Sequence, residues 1–213
     1  MNNRSLILKK DFAPSYISNL TLFQNLILIT IDQELQIYNK ILRLLFSKKF
    51  GKNRDDILSL NPINNETVSI ACLYEVYIAN FYHKNKNEII CEIIQEINDT
   101  NLYEVNKSLF NGYLVLGGAE RKYSFYTKEK NNEQINLNNQ YILFNRIAID
   151  QHIDTEYYPK IIDFNNGRIL SCSNYDCNIK VIEYYPEQKI IKNIDGYKLF
   201  NARLINNKYI GLL

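Results

Sequence analysis

The sequence predicts an all-β protein: a β-propeller-like array of four-stranded antiparallel blades, about four units plus a partial fifth. Two observations carry this expectation. Strand–turn–strand phrases recur along the chain, clearest in NNGRILSCSNYDCNIKVIEYYPEQKIIKNIDGY from Asn165 to Tyr197, and again in QNLILITIDQELQIYNK from Gln24 to Lys40. Their leading strands start at Leu26, Val68, Tyr113, Arg168 and Lys208, a spacing of roughly 40 residues, which is the length of a propeller blade. One wider interval holds an insertion around Asn131 to Tyr158. Residues 1–213 read as one propeller-like domain, either a piece of a larger propeller incomplete at its C-terminus or a diverged one whose last blade is built unusually.

Taken in order, the elements follow from period-two alternation of apolar residues, the mark of half-buried strands. Ser5 to Lys9 reads as the outermost strand of a preceding blade. Leu26 to Ile31 and Leu35 to Tyr38 flank the polar turn Asp32-Gln33-Glu34. Thr67 to Leu73 pairs with Val76 to Tyr82, and Tyr113 to Leu116 with Tyr123 to Tyr126 across Gly117-Gly118-Ala119-Glu120. Arg168 to Cys172 and Ile179 to Ile182 enclose a turn of Ser, Asn and Asp. Each pair has the strand, short polar turn and strand that a hairpin requires. Tyr209 to Leu213 falls in the second strand of a fifth unit.

Two segments fit a helix as well. Glu88 to Ile97 sets Ile89, Ile90, Ile93, Ile94 and Ile97 at helical spacing, although the blade rhythm favours an outer strand over Glu88 to Ile94. Ile41 to Phe46 is likewise helix-compatible. As helices, the two would turn the chain into an α+β domain of unknown role.

The fourth unit resembles a WD40 repeat. Gly167-Arg168-Ile169-Leu170-Ser171-Cys172-Ser173 is similar to the family's second strand, and Asp176 to its turn aspartate. Ile182 and Glu183 stand where the family has Trp-Asp, and Gly196-Tyr197 where the next repeat opens with Gly-His. Asp32, Leu35, Ile37, Tyr38 and Asn39 repeat the pattern near the start. The resemblance implies a propeller that binds other proteins through its loops. The chain has no Trp and no Gly-His pair. The family's buried network of aspartate, histidine and hydroxyl is therefore incomplete, and blade rigidity is expected to rest on β-branched and aromatic packing.

Composition excludes several classes. A net charge of +2 over 213 residues, with scattered basic residues, lacks the basic face of a duplex binder. The densest cluster, Lys48, Lys49, Lys52 and Arg54, is diluted by Asp55 and Asp56 and reads as a solvated loop. No apolar run approaches a membrane span, and the N-terminus lacks a signal-peptide core, so the default expectation is a cytoplasmic protein. Cys72, Cys91, Cys172 and Cys177 are then expected to be reduced thiols. Glycosylation sequons at Asn3, Asn19, Asn65 and Asn106 are what chance gives in so Asn-rich a chain.

No catalytic, cofactor-binding or metal-binding residue is assigned. Cys172, Cys177 and His152 are too few and too irregularly spaced for structural zinc. Gly117-Gly118 lacks the rest of either nucleotide fingerprint and reads as a tight turn. His83 lies at a strand end. The best chemical candidate is Asp150, His152, Asp154 and Glu156 in the long insertion, where flanking carboxylates would raise the histidine's pKa. The tyrosine pairs Tyr157-Tyr158 and Tyr184-Tyr185 before prolines could serve as interface anchors. The expectation is a non-catalytic protein-interaction scaffold without cofactor, with proteins rather than nucleic acid or membrane as partners. The alternative is a β-rich hydrolase built on Asp150, His152 and Asp154.

Overall fold

The computed structural model describes residues 17–52, 56–98, 105–109, 112–117, 122–128, 140–148, 160–172, 178–185, 189–195, 202–205 and 209–212. Their strands form four antiparallel meanders and a further hairpin. The first sheet runs β1 (Ile17–Phe23), β2 (Leu26–Ile31), β3 (Glu34–Asn39), β4 (Leu44–Lys49). The second runs β5 (Ser59–Pro62), β6 (Thr67–Ala71), β7 (Glu75–Asn85), β8 (Glu88–Asn98). The third comprises β9 (Val105–Ser108), β10 (Leu114–Gly117), β11 (Lys122–Thr127) and β12 (Ile142–Ala148). The fourth comprises β13 (Lys160–Asp163), β14 (Arg168–Cys172), β15 (Asn178–Glu183) and β16 (Lys189–Asp195), followed by the pair β17 (Ala202–Ile205) and β18 (Tyr209–Leu212).

The first strands of successive sheets touch one another, β1 to β5, β5 to β9, β9 to β13 and β13 to β17. They therefore circle a common axis and the sheets radiate as blades, which is a propeller. The strands expected to lead each unit are β2, β6, β10, β14 and β18, in every case the second strand of its sheet. Ile41 to Phe46 and Glu88 to Ile97 lie in neither helix: β4 and β8 take their place as outer strands. The α+β alternative is thereby overturned.

Burial departs from the half-buried expectation in an instructive way. All five residues of β6 and all four of β10 are buried. A central blade strand is sandwiched by blades on both sides, so both of its faces are buried. Strand β10 is all apolar or glycine, and β6 buries Thr67 and Ser69 with their hydroxyls bonded to Asn80 and the Asn61 carbonyl. Three apolar cores result, one per interface. Leu28, Leu35 and Ile37 of blade 1 meet Val68, Ile70 and Phe81 of blade 2. Val76 and Ile78 meet Leu114, Leu116 and Tyr126 of blade 3. Val115, Tyr123 and Phe125 meet Ile169, Ile182 and Tyr184 of blade 4.

A feature invisible in the sequence recurs in all four blades. The outer strand carries one extra residue opposite the middle of the third strand, so the register skips Leu45, Ile94, Phe144 and Ile191. Such a bulge increases local twist, as a blade requires. The extra residue is apolar every time. Leu45, Ile94 and Phe144 each pack into the core between their blade and the next, whereas Ile191 stays 38% exposed.

In place of the family's side-chain network, blade 1 ties its neighbour with other groups. Carbonyls of the β2–β3 turn, Asp32 and Gln33, accept the Ile57 and Phe50 amides of the connection to blade 2, both at 2.9 Å. The buried Thr30 hydroxyl shares a 2.7 Å bond with Ser18, which donates to the Ile57 carbonyl at 3.1 Å. The Asn19 amide reaches the Leu58 carbonyl at 3.1 Å. Between blades 3 and 4, the Tyr123 and Ser171 hydroxyls meet at 2.6 Å inside the core. Buried polar groups are thus paired across interfaces, which fixes blade register as well as stabilising it.

Candidate interaction groove

Among the described residues β7–β8 is the longest hairpin, each strand having 11 residues. Its pairing runs from Glu75↔Asn98 out to Asn85↔Glu88. The last four residues of β7, Tyr82 to Asn85, are exposed because they project past the blade that buries the rest of the strand. This overhang faces two turns of blade 1. One is the β1–β2 turn, where Gln24 takes a left-handed φ of 55°. The other is the β3–β4 turn, built around Asn39. Asn39 Oδ1 accepts the Ile41 and Arg43 amides at 3.1 and 2.9 Å, and its carbonyl accepts Leu42 N at 2.9 Å. Leu42 is held at φ 58°, a conformation that costs a bulky residue about 1 kcal/mol or more. The turn is rigid and leaves Ile41 72% exposed.

Between overhang and turns lie two adjoining hollows that share Leu26 and His83 as walls. The larger, about 450 Å³ and open to solvent, is lined by Asn25, Leu26, Asn39, Lys40, Ile41 and His83. The smaller, about 190 Å³, is framed by Gln24, Glu66, Tyr82 and His83 over a floor of Leu26, Phe81 and Ile89. Charge is unevenly spread. Lys40, with Arg43 two residues beyond Ile41 in the same turn, makes no ion pair among the described residues, nor does Arg43. Glu66 is confined to the smaller hollow. On the overhang, Lys84 is matched by Glu88 at 3.1 Å.

Among the described residues, His83 is the one chemical candidate from the sequence that lines this groove. Asp150, His152, Asp154 and Glu156 lie outside the described residues, as do Cys177, Asp176, Tyr157, Tyr158, Gly118, Gly196, Tyr197 and the segment Ser5 to Lys9. Among the described residues no group of three or more His, Cys, Asp and Glu side chains could hold a metal ion. No described helix is long and apolar enough to cross a membrane. Tyr184 is buried in the blade 3–4 core while Tyr185 is exposed, so only one of that pair is available as an anchor.

Of the basic cluster, Lys48 and Lys49 end β4, Lys52 follows it, and Arg54 lies outside the described residues. Lys52 pairs with Glu96 and lies 3.5 Å from Glu75, and Lys48 sits over the Phe50 ring. Phe50 in turn packs edge-on against Tyr77, whose hydroxyl donates to Glu75. Burial first, then the Glu75 carboxylate, pushes the Tyr77 pKa well above its usual value. The bond to Lys52 holds Glu96 below the usual carboxylate range. These contacts latch the inter-blade connection to β7 and β8. On the innermost strand of blade 3, Lys107 donates to the Ile161 carbonyl at 3.1 Å, and burial lowers its pKa although Asp163 opposes the shift.

Cys72 and Cys91 are free thiols. Burial pushes the Cys91 thiol up to about 11 from 9.0, leaving roughly a hundredfold less thiolate than an ordinary cysteine at neutral pH. Peptide mapping after brief iodoacetamide treatment at neutral pH should therefore find Cys91 largely unmodified in the native chain and modified once guanidinium is present. Rapid native labelling would contradict the desolvated placement of the Cys91 thiol.

No protein-family model matches the chain, and no curated protein sequence does. Solved structures match it in fold. A protein of unknown function from Bacteroides caccae aligns with a TM-score of 0.61 at 10% identity, over 93% of this chain and 70% of that one. The WD40 domain of Pan2 from Neurospora crassa aligns at 0.58 and 11% identity, over 87% of this chain and 50% of that one. The WD40 β-propeller domain of Doa1 aligns at 0.62 and 11%, over 92% and 61% respectively. The chain thus spans half of the Pan2 chain and 61% of the Doa1 chain. At such identities the likeness is one of architecture: the chain has a diverged WD40-like propeller fold.

Proposed function

We propose that this propeller is a non-catalytic scaffold for binding other proteins, and that the groove between blades 1 and 2 is a contact site. The observation that carries the reading is Ile41, an aliphatic side chain held in solvent by a strained, hydrogen-bonded turn beside an apolar-floored groove. Leu22 is equally exposed; what sets Ile41 apart is that its fixed turn places it on the wall of the groove. A preorganised turn lowers the ordering cost of association, and rigid frames with functional loops are the usual division of labour. The WD40-like architecture agrees with the reading, although fold by itself does not define function.

The test compares proteins captured by immobilised wild type, Ile41→Asp and Leu143→Asp, the last altering an exposed leucine on blade 3. Partners should be lost with Ile41→Asp and retained with Leu143→Asp. Identical capture by all three removes the groove from the account. Turnover of chromogenic ester, phosphate or glycoside substrates that disappears in His152→Ala would instead establish the hydrolase.

A further inference from the structure

We infer that the groove takes an extended acidic peptide, with an apolar side chain seated on Leu26 and Ile41 and a carboxylate beside it meeting Lys40. The inference rests on the scaffold reading above and specifies its partner. Shape gives the first argument. Two side-chain-sized hollows in a row, joined at Leu26 and His83, suit a strand of peptide lying across them. A compact small molecule would be left largely in solvent in so open a site, whereas ligand pockets bury most of their ligand.

Charge gives the second. The larger hollow has one ionic group on its wall, Lys40, and Arg43, outside the lining, stands at the end of the same turn. Neither is neutralised by an ion pair among the described residues; at the end of the β7–β8 hairpin Lys84 is matched by Glu88, and the exposed Lys86 in its turn adds further positive charge. Glu66 stands at the far end, in the smaller hollow. A bound peptide is thereby polarised: acid toward Lys40 and Arg43, neutral or donor groups toward Glu66. His83, on the shared wall, can exchange a hydrogen bond with a peptide amide or carbonyl. Lys40, Arg43 and Lys86 near an apolar floor do not make a phosphate track, which needs many more cations. An acidic segment also gains its affinity here from a side chain that nucleic acid lacks.

Preorganisation gives the third. The Asn39 bonds fix the turn before any partner arrives, so the binding cost falls on the peptide alone.

The test is fluorescence anisotropy with a fluorescein-labelled Gly-Asp-Glu-Leu-Phe-Ser-Gly peptide, a Ser-Ser version and a Lys-Lys version of its acidic pair. Circular dichroism confirms that each protein variant keeps its strand spectrum. The acidic peptide should bind most tightly, with affinity falling as salt rises. Lys40→Glu should weaken it about tenfold, Ile41→Asp by more, and Leu143→Asp not at all. Equal binding of acidic and Ser-Ser peptides, both lost in Ile41→Asp, would overturn the acidic partner while leaving the scaffold groove standing. Preference for the Lys-Lys peptide, or displacement by a duplex oligonucleotide at low concentration, would overturn the inference in favour of another ligand class. Failure of all three peptides at millimolar concentration would overturn the peptide groove itself.

Discussion

Phe125→Ala is expected to cost about 3–5 kcal/mol, among the largest effects a single side chain can have in this fold. Phe125 has no exposed surface and lies in the core between blades 3 and 4. Its ring stacks on Tyr184 with centroids 5.9 Å apart and planes 14° from parallel. Tyr184 is held from behind: its hydroxyl donates to Asp163 at 3.2 Å and its amide to the Gly167 carbonyl at 2.8 Å. It also tilts against Tyr113 at 5.7 Å. A partner so restrained cannot collapse into the space an alanine leaves, so both the transfer and the cavity contributions are felt in full, together with a lost aromatic pair worth about 0.5–1.5 kcal/mol.

Each blade packs only on its neighbours, so the damage should also be local. Native-state hydrogen exchange should show the amides of β10, β11, β14 and β15 losing protection first, while β2, β3 and β6 keep theirs. A denaturation midpoint unchanged within error, or protection lost equally in blade 1, would refute the separation into three interfacial cores.

The same packing explains which parts of the fold were legible in the sequence. Inner hairpins such as Leu26 to Tyr38 and Arg168 to Ile182 are conspicuous because strands buried against neighbouring blades are mostly apolar, with only a few small buried polar residues such as Thr30 and Ser171. The polar turn between the strands then stands out. Outer strands were ambiguous for a specific reason. The extra residue at Ile94 breaks the alternation of β8 by one place, setting Ile93 beside Ile94, and the result imitates helical spacing. In β4 the bulge at Leu45 does the same to Ile41 to Phe46. A bulge that repeats in every blade can be found only once the registers are known.

The groove was illegible for another reason. Leu26 begins β2, Ile41 lies in the β3–β4 turn and His83 in the β7 overhang, and their approach depends on β7–β8 outgrowing its blade. Ile41 in particular looked like the start of an apolar run, whereas the Asn39 turn isolates it from Leu44 and Leu45. The length of β7 and β8, with Tyr82 to Asn85 polar at the tip, was the one available signal.

Gly117→Ala should be at least as damaging as the loss of a core ring, for a reason rooted in backbone rather than packing. Gly117 closes β10 opposite Tyr123 at φ 131°, far into a region that side chains disfavour. A Cβ there would lie 2.3 Å from the Lys122 carbonyl oxygen, with the Tyr123 Cα at 3.3 Å. Neither obstacle can rotate away, since both are main chain of the partner strand. Relief requires the β10–β11 pair to open at that end, beside Tyr123 and its buried bond to Ser171. Strain of about 1–3 kcal/mol at the residue itself therefore adds to the cost of parting two strands. Gly112→Ala separates the two contributions. Gly112 has φ 76° but nothing within 4 Å of its would-be Cβ, so it should lose only the conformational part, about 1 kcal/mol. Urea unfolding of the two variants should place Gly117→Ala well below Gly112→Ala. Equal midpoints would mean that the close approach of Gly117 to Lys122 is absent in solution, and that the hairpin turn alone demands the glycine.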